Sequence, residues 1–156
     1  FLLRVLIPLV RADFRNPFGE AVLKVTNPLV LPLRKVVPPG KRLDPSSVVA
    51  LLIVQFAGTA LLRGVAGGGF GLESILLGGL YGLLHNVLQF YFFAVLLYAL
   101  LSWFAGAAYN PAAQILSKLV EPLLAPIRRV VPPLGGLDLS AVFLLIALQA
   151  LQILLR

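Results

Sequence analysis

The chain has 156 residues, 60% of them hydrophobic and only 12% charged, with a mean hydropathy of +0.98. A soluble domain is about half apolar and about a quarter charged, so a soluble fold is excluded: 156 residues enclose too little interior for this much Leu, Val and Phe. A formal charge of +7 favours anionic partner surfaces, and the lack of cysteine excludes disulfides, thiolate metal sites and a Cys nucleophile.

Phe1–Val10 is apolar but too short to cross a hydrocarbon core of about 30 Å at about 1.5 Å per residue. The chain opens on Phe rather than Met, with no basic n-region. It is therefore expected to be the tail of a membrane helix rather than a signal peptide, with Arg4 snorkelling as an interfacial anchor. Asn16-Pro17 reads as an N-cap followed by proline at the first helical position. Phe18, Ala21, Val22, Val25, Leu29, Leu33 and Val36 then recur at helical spacing, with Glu20, Lys24, Asn27 and Arg34 off the stripe. Pro28 and Pro32 predict two short helices meeting near Asn27. A basic amphipathic helix of this kind should lie flat at headgroup level.

Asp44-Pro45-Ser46 restarts a helix by the same logic. Pro45–Leu62 then runs 18 residues without charge, or roughly 27 Å of helix, enough to span. Arg63 and Gly67-Gly68-Gly69 close it as a flexible turn. That turn is no nucleotide loop, since no strand precedes it and no Lys-Ser/Thr follows. From Ser74 to Ala108 there is no formal charge. Two readings fit: one long tilted helix, or a short interfacial helix over Leu72–Leu84 followed by a span over Asn86–Phe104. The second is preferred, with Trp103 and Tyr109 in the interfacial aromatic belt. A second amphipathic stripe follows (Ala112, Ile115, Leu116, Leu119, Leu123, Ile127, Val130), and Asp138 caps a last span over Leu139–Leu155.

The two amphipathic stretches are copies. A shift of 94 positions, from 16 to 110, lays Asn16-Pro17 on Asn110-Pro111 without a gap. Lys24 then falls on Lys118, Pro28-Leu29 on Pro122-Leu123, Pro32 on Pro126 and Arg34 on Arg128. Val36-Val37-Pro38-Pro39 falls on Val130-Val131-Pro132-Pro133, Leu43-Asp44 on Leu137-Asp138, and Ser46 on Ser140. Chance does not reproduce five prolines, a basic pair and an acid in phase; this is duplication.

Cations cluster in the two copies, so the positive-inside rule puts both copies in the cytoplasm and both chain ends outside. The halves then point the same way, related by a pseudo-two-fold along the membrane normal. The predicted class is an all-α membrane protein of two parallel repeats, each span–interfacial amphipathic helix–span. It has four spans, the first truncated. Residues 1–64 form the first repeat, 65–85 the connecting turn and short interfacial helix, and 86–156 the second repeat.

Polar residues in this chain are few. His85, the lone histidine, with Gln89 one turn on, supplies neither a metal site nor a triad. No cofactor or metal is expected. Gln55 and Gln149 share a register in mid-span, so a Gln–Gln contact across the pseudo-axis would stabilise the bundle by about 0.6–2 kcal/mol. Asn16, Asp44, Asn110 and Asp138 are expected as helix N-caps rather than ion ligands. The pairs Arg34-Lys35 and Arg128-Arg129 are the candidates for binding anionic headgroups or a partner, at about 1 kcal/mol per cation. Lys41 and Arg42 join the first pair where the second copy has Gly135-Gly136. Direct nucleic-acid binding is not expected, because no folded reader of bases is evident.

The double block NP…K…P…P.R(K/R)VVPP….LD.S, each copy between two spans, resembles the YggT family of small bacterial and chloroplast membrane proteins. The resemblance covers essentially the whole chain and implies a multi-pass protein of the bacterial inner membrane. Family members are linked to osmotic-stress tolerance, nucleoid or division-site organisation, and cytochrome maturation in plastids. Two function classes follow. The preferred one is a non-enzymatic scaffold or assembly factor that binds other membrane proteins or further copies of itself. The alternative is a small channel or transport component. Against it, no intramembrane charge lines a route.

Overall fold

The computed structural model describes all residues except 11, 13–16, 39, 41–42, 69–70, 104–110, 131–137 and 156, and leaves undescribed the side chains of 102, 103, 111 and 112. The described residues form helices and no strand. In chain order these are α1 (Leu2–Leu9), α2 (Pro17–Leu33), α3 (Pro45–Val65), α4 (Leu72–Trp103), α5 (Pro111–Arg128) and α6 (Leu139–Leu154). The 94-residue shift governs their bounds. It carries Leu9 onto Trp103, the last residues of α1 and α4. It also carries Pro17 onto Pro111 and Pro45 onto Leu139, the first residues of α2 and α5 and of α3 and α6. Asn16, Asn110, Lys41, Arg42 and Tyr109, and the side chain of Trp103, lie outside the described residues.

Two expectations are corrected. Both amphipathic helices run unbroken through their two internal prolines instead of splitting near Asn27. The reason is placement: Pro28, Pro32, Pro122 and Pro126 all sit on the exposed side, where a freed carbonyl finds water or headgroups. The stretch after the glycine turn is likewise one helix, α4, of 32 residues, and not a short helix followed by a span. No proline interrupts it. Its glycines serve close packing instead: a Cβ at Gly79 would strike the Phe56 ring, and one at Gly82 the Gln55 amide. Small residues of this kind let membrane helices approach closely.

The turn between α3 and α4 needs its glycine, because Gly67 has φ +71°. The Gly68 N–H then donates to the Arg63 carbonyl at 2.8 Å, which ends α3. Pro45–Val65 and Leu72–Leu101 each have the length and hydropathy to cross a bilayer, and α6 is apolar but shorter. Two apolar clusters hold the bundle. Ala94 and Val95 of α4, Val120 and Leu124 of α5, and Ala141, Leu144 and Leu148 of α6 pack the second repeat on itself. Ile7 of α1 and Ala12 meet Ile115 and Leu119 of α5, and this contact joins the repeats.

Candidate functional site

Two clusters of described polar side chains form where each amphipathic helix returns to the apolar helix that follows it. In the first copy, Arg34 lies just past α2 and Asp44 just before α3. Arg34 Nη2 meets Asp44 Oδ2 at 2.6 Å, and Ser47 Oγ donates to the same oxygen at 2.8 Å. Arg4 of α1 completes the group: its Nε donates to Ser47 Oγ at 3.0 Å, and its Nη1 to Thr26 Oγ1 at 2.6 Å and Asn27 Oδ1 at 2.8 Å. Arg4 is 3% exposed. It is therefore no snorkelling anchor; the hydroxyls and amide of α2 and α3 solvate it inside the bundle. Burial pushes the Asp44 carboxyl up, but the hydrogen bonds from Arg34 and Ser47, with the charges of Arg34 and Arg4, outweigh that and hold it below the usual carboxylate range.

The second copy repeats the lock with different neighbours. Arg128, at the register of Arg34, donates through Nε to Asp138 Oδ2 at 3.1 Å and through Nη2 to the same oxygen. Nη2 also donates to the Tyr98 hydroxyl at 2.8 Å, and Nη1 donates to Glu121 Oε1 and Oε2 at 3.1 and 2.9 Å. All three guanidinium nitrogens are thereby engaged. The hydrogen bond to Asp138 raises the Arg128 pKa further above its ordinary value, against an opposing effect of burial. Burial also pushes Asp138 up, yet Arg128 and Ser140 together bring it down. Tyr98 stands at the register of Arg4, and Glu121 at that of Asn27. The first cluster therefore carries two arginines to one carboxylate, the second one arginine to two.

These contacts redistribute the residues expected to act. Asp44 and Asp138 do precede their helices, and arginine holds both carboxylates; the Asp44 side chain bonds no first-turn amide, while the Ser140 N–H also helps to hold Asp138 low. Each basic pair is split: Arg34, though exposed, and the partly buried Arg128 are committed to ion pairs with Asp44 and Asp138, while Lys35 and Arg129 are exposed. Gln55 finds a partner in α4, accepting from Asn86 Nδ2 at 2.9 Å, and Gln149 lies on the exposed side of α6. No hydrogen bond joins the two glutamines among the described residues. His85 stacks on Tyr81 with ring centroids 6.1 Å apart, and its Nδ1 is buried without a partner. Sequence reasoning gave Arg4 the wrong role and passed over Thr26, Ser47, Tyr98 and Glu121. The signal for one pair was available, since the shift of 94 sets Arg4 against Tyr98, a polar group at the same register of each repeat.

The family model described as CCB3/YggT matches residues 1–65 and 77–156. The chain belongs to the CCB3/YggT family. It is similar to the protein PA0392 of Pseudomonas aeruginosa, with 37% identity over 155 residues, 98% of this chain and 79% of that protein. It is also similar to the YggT protein of Escherichia coli K12, with 34% identity over 151 residues, 97% of this chain and 78% of that one. A Vibrio alginolyticus protein described by its place in the proC 3′ region shares 34% identity over 151 residues. No solved structure matches the chain. The family match breaks between residues 65 and 77, between the two repeats, so each repeat of this CCB3/YggT protein carries its own lock.

Proposed function

We propose that this chain is a non-enzymatic scaffold or assembly factor of the bacterial inner membrane, holding two interfacial helices at the cytoplasmic face for other membrane proteins. The observation that carries this is the repeated lock: Arg34–Asp44 and Arg128–Asp138 each pin the end of an amphipathic helix to the start of the next apolar helix. A rigid, doubly fastened platform suits presentation of a surface, whereas a transport route needs polar groups free to exchange partners. The outer face of α5 offers Gln114, Lys118, Glu121 and Arg129, all exposed, as the patch for a protein partner.

The alternative, a small channel, would run past Gln55 and Asn86, the polar pair between α3 and α4. Reconstitution separates the two. Proteoliposomes carrying the scaffold should pass Na⁺, K⁺ and small osmolytes no faster than protein-free vesicles. A photocrosslinker at Lys118 should capture the same membrane protein repeatedly from native membranes, and lose it when Gln114 and Arg129 are replaced by Ala. Solute flux that Asn86→Leu abolishes would overturn the scaffold in favour of the channel.

A further inference from the structure

The two amphipathic helices share a register but not a set of covered positions. On α5, Ile115 and Leu119 are 4% and 1% exposed, closed over by Ile7 with Leu3, Leu6 and Val10 of the first repeat. The same register on α2 holds Ala21, exposed, and Val25, 77% exposed. Around the α2 helix, residues 18, 21, 25, 28 and 32 recur at steps of three and four, so Phe18, Ala21, Val25, Pro28 and Pro32 form one outward apolar stripe. Every one of them is exposed. Lys24 and Lys35 follow along one edge of that stripe, also exposed, and Val36 past the helix end is 81% exposed. The inward side is filled differently, by Gly19, Thr26 and Val30 against the bundle.

We propose that the outward face of α2, and not that of α5, inserts into an anionic leaflet, with Phe18, Val25 and Val36 among the acyl chains and Lys24 and Lys35 at the phosphates. The Arg34–Asp44 lock sets the depth. It holds the end of α2 level with the first turn of α3, where a span would enter the bilayer. An apolar stripe at that boundary has one adjoining apolar phase, and lysines on its edge snorkel to headgroup level. Glu20 is the one exposed acid on the helix, set a turn before Lys24, so the net charge of the outward face is positive. On α5 the two large members of the matching stripe, Ile115 and Leu119, are covered by α1; Pro122 and Pro126 stay exposed among Gln114, Lys118, Glu121 and Arg129, a mostly polar outer face that gains little from hydrocarbon. This inference rests on reading the chain as a membrane protein, and it assigns the lipid-binding role to one helix.

The test uses single cysteines on the cysteine-free chain, labelled with an environment-sensitive fluorophore and reconstituted in vesicles of brominated phosphatidylcholine or brominated phosphatidylglycerol. Labels go at Val25 on α2, Lys118 on α5 and Val54 on the exposed side of α3. Expected is strong quenching at Val25 and Val54 and little at Lys118. Quenching at Val25 should favour phosphatidylglycerol by about fivefold for each lysine, and K24Q with K35Q should remove that preference. Quenching at Val54 without quenching at Val25 would overturn the insertion and leave the membrane reading standing. No quenching at Val54 would overturn the membrane reading itself. Equal quenching at Val25 and Lys118 would overturn the asymmetry between the helices.

Discussion

Arg128 and Asp138 stand ten positions apart and meet through two guanidinium nitrogens on one carboxylate oxygen, so the end of α5 is tied to the first turn of α6. The same arginine holds Glu121 and the Tyr98 hydroxyl, which adds α4 to the junction. Removing it would leave the Asp138 carboxylate with Ser140 as its one remaining partner among the described residues.

Arg128→Met should therefore destabilise the protein by about 1–3 kcal/mol, below the loss for a fully buried pair because the site is partly wet. Arg4→Met should cost less than about 1 kcal/mol, although Arg4 is the more buried of the two arginines. Two of its three partners keep other bonds, Thr26 Oγ1 donating to the Val22 carbonyl at 2.6 Å and Ser47 Oγ to Asp44 at 2.8 Å, and the third, Asn27, is only partly buried. Thermal melts of both variants in detergent decide this. A larger loss from Arg4→Met would show that burial, and not the paired carboxylate, sets the cost.

Acid should loosen both locks. The folded values of Asp44 and Asp138 lie below the ordinary carboxylate value of about 3.9, so the unfolded chain binds more protons in this range. Their stabilising contribution is complete above about pH 4 and is lost as pH falls through the folded values. The melting temperature should stay level from pH 7 to pH 5 and drop below about pH 4. Asp44→Asn with Asp138→Asn should melt lower at pH 7 and show a shallower acid drop. A melting temperature that rises on acidification would reverse the sign and refute the assignment.

Much of the architecture was legible in the sequence because duplication writes it twice. Asn-Pro before α2 and α5, Asp44-Pro45 before α3 and Asp138 before α6 marked where these helices start, and these follow local rules of chain geometry. The locks were not legible. Asp44 before Pro45 satisfies every local rule for a cap, and only the return of the chain from Arg34 shows where the carboxylate is spent. The stripe on α2 was mixed for the same reason: Val22, Leu29 and Leu33 turn inward, while Phe18, Ala21 and Val25 turn outward. Periodicity shows that a helix has faces; it does not say which neighbour covers each.

The α3–α4 contact makes a steric prediction. Phe56 lies where a Cβ on Gly79 would stand, so Gly79→Leu should force the helices apart and cost about 1–3 kcal/mol. Phe56→Ala should recover part of that loss in the double variant, because it vacates the space the new side chain needs. If the two losses simply add, the helices do not meet at this pair.

Gln55 and Gln149 share a register and differ in circumstance, so the same substitution should act differently on each. Gln55 accepts from Asn86, and its amide fills the space beside Gly82. Gln55→Leu removes that bond and leaves the Asn86 amide unpaired beside an apolar helix, a loss of about 0.6–2 kcal/mol. Gln149 lies on the exposed side of α6 with no hydrogen bond among the described residues. Leucine there removes an exposed amide without unpairing any described group, so Gln149→Leu should be neutral or slightly stabilising. A double-mutant cycle with Asn86→Leu adds a second reading: coupling to Gln55 and none to Gln149. Equal losses from the two glutamine variants, or coupling between Gln149 and Asn86, would refute the α3–α4 pairing as the source of the difference.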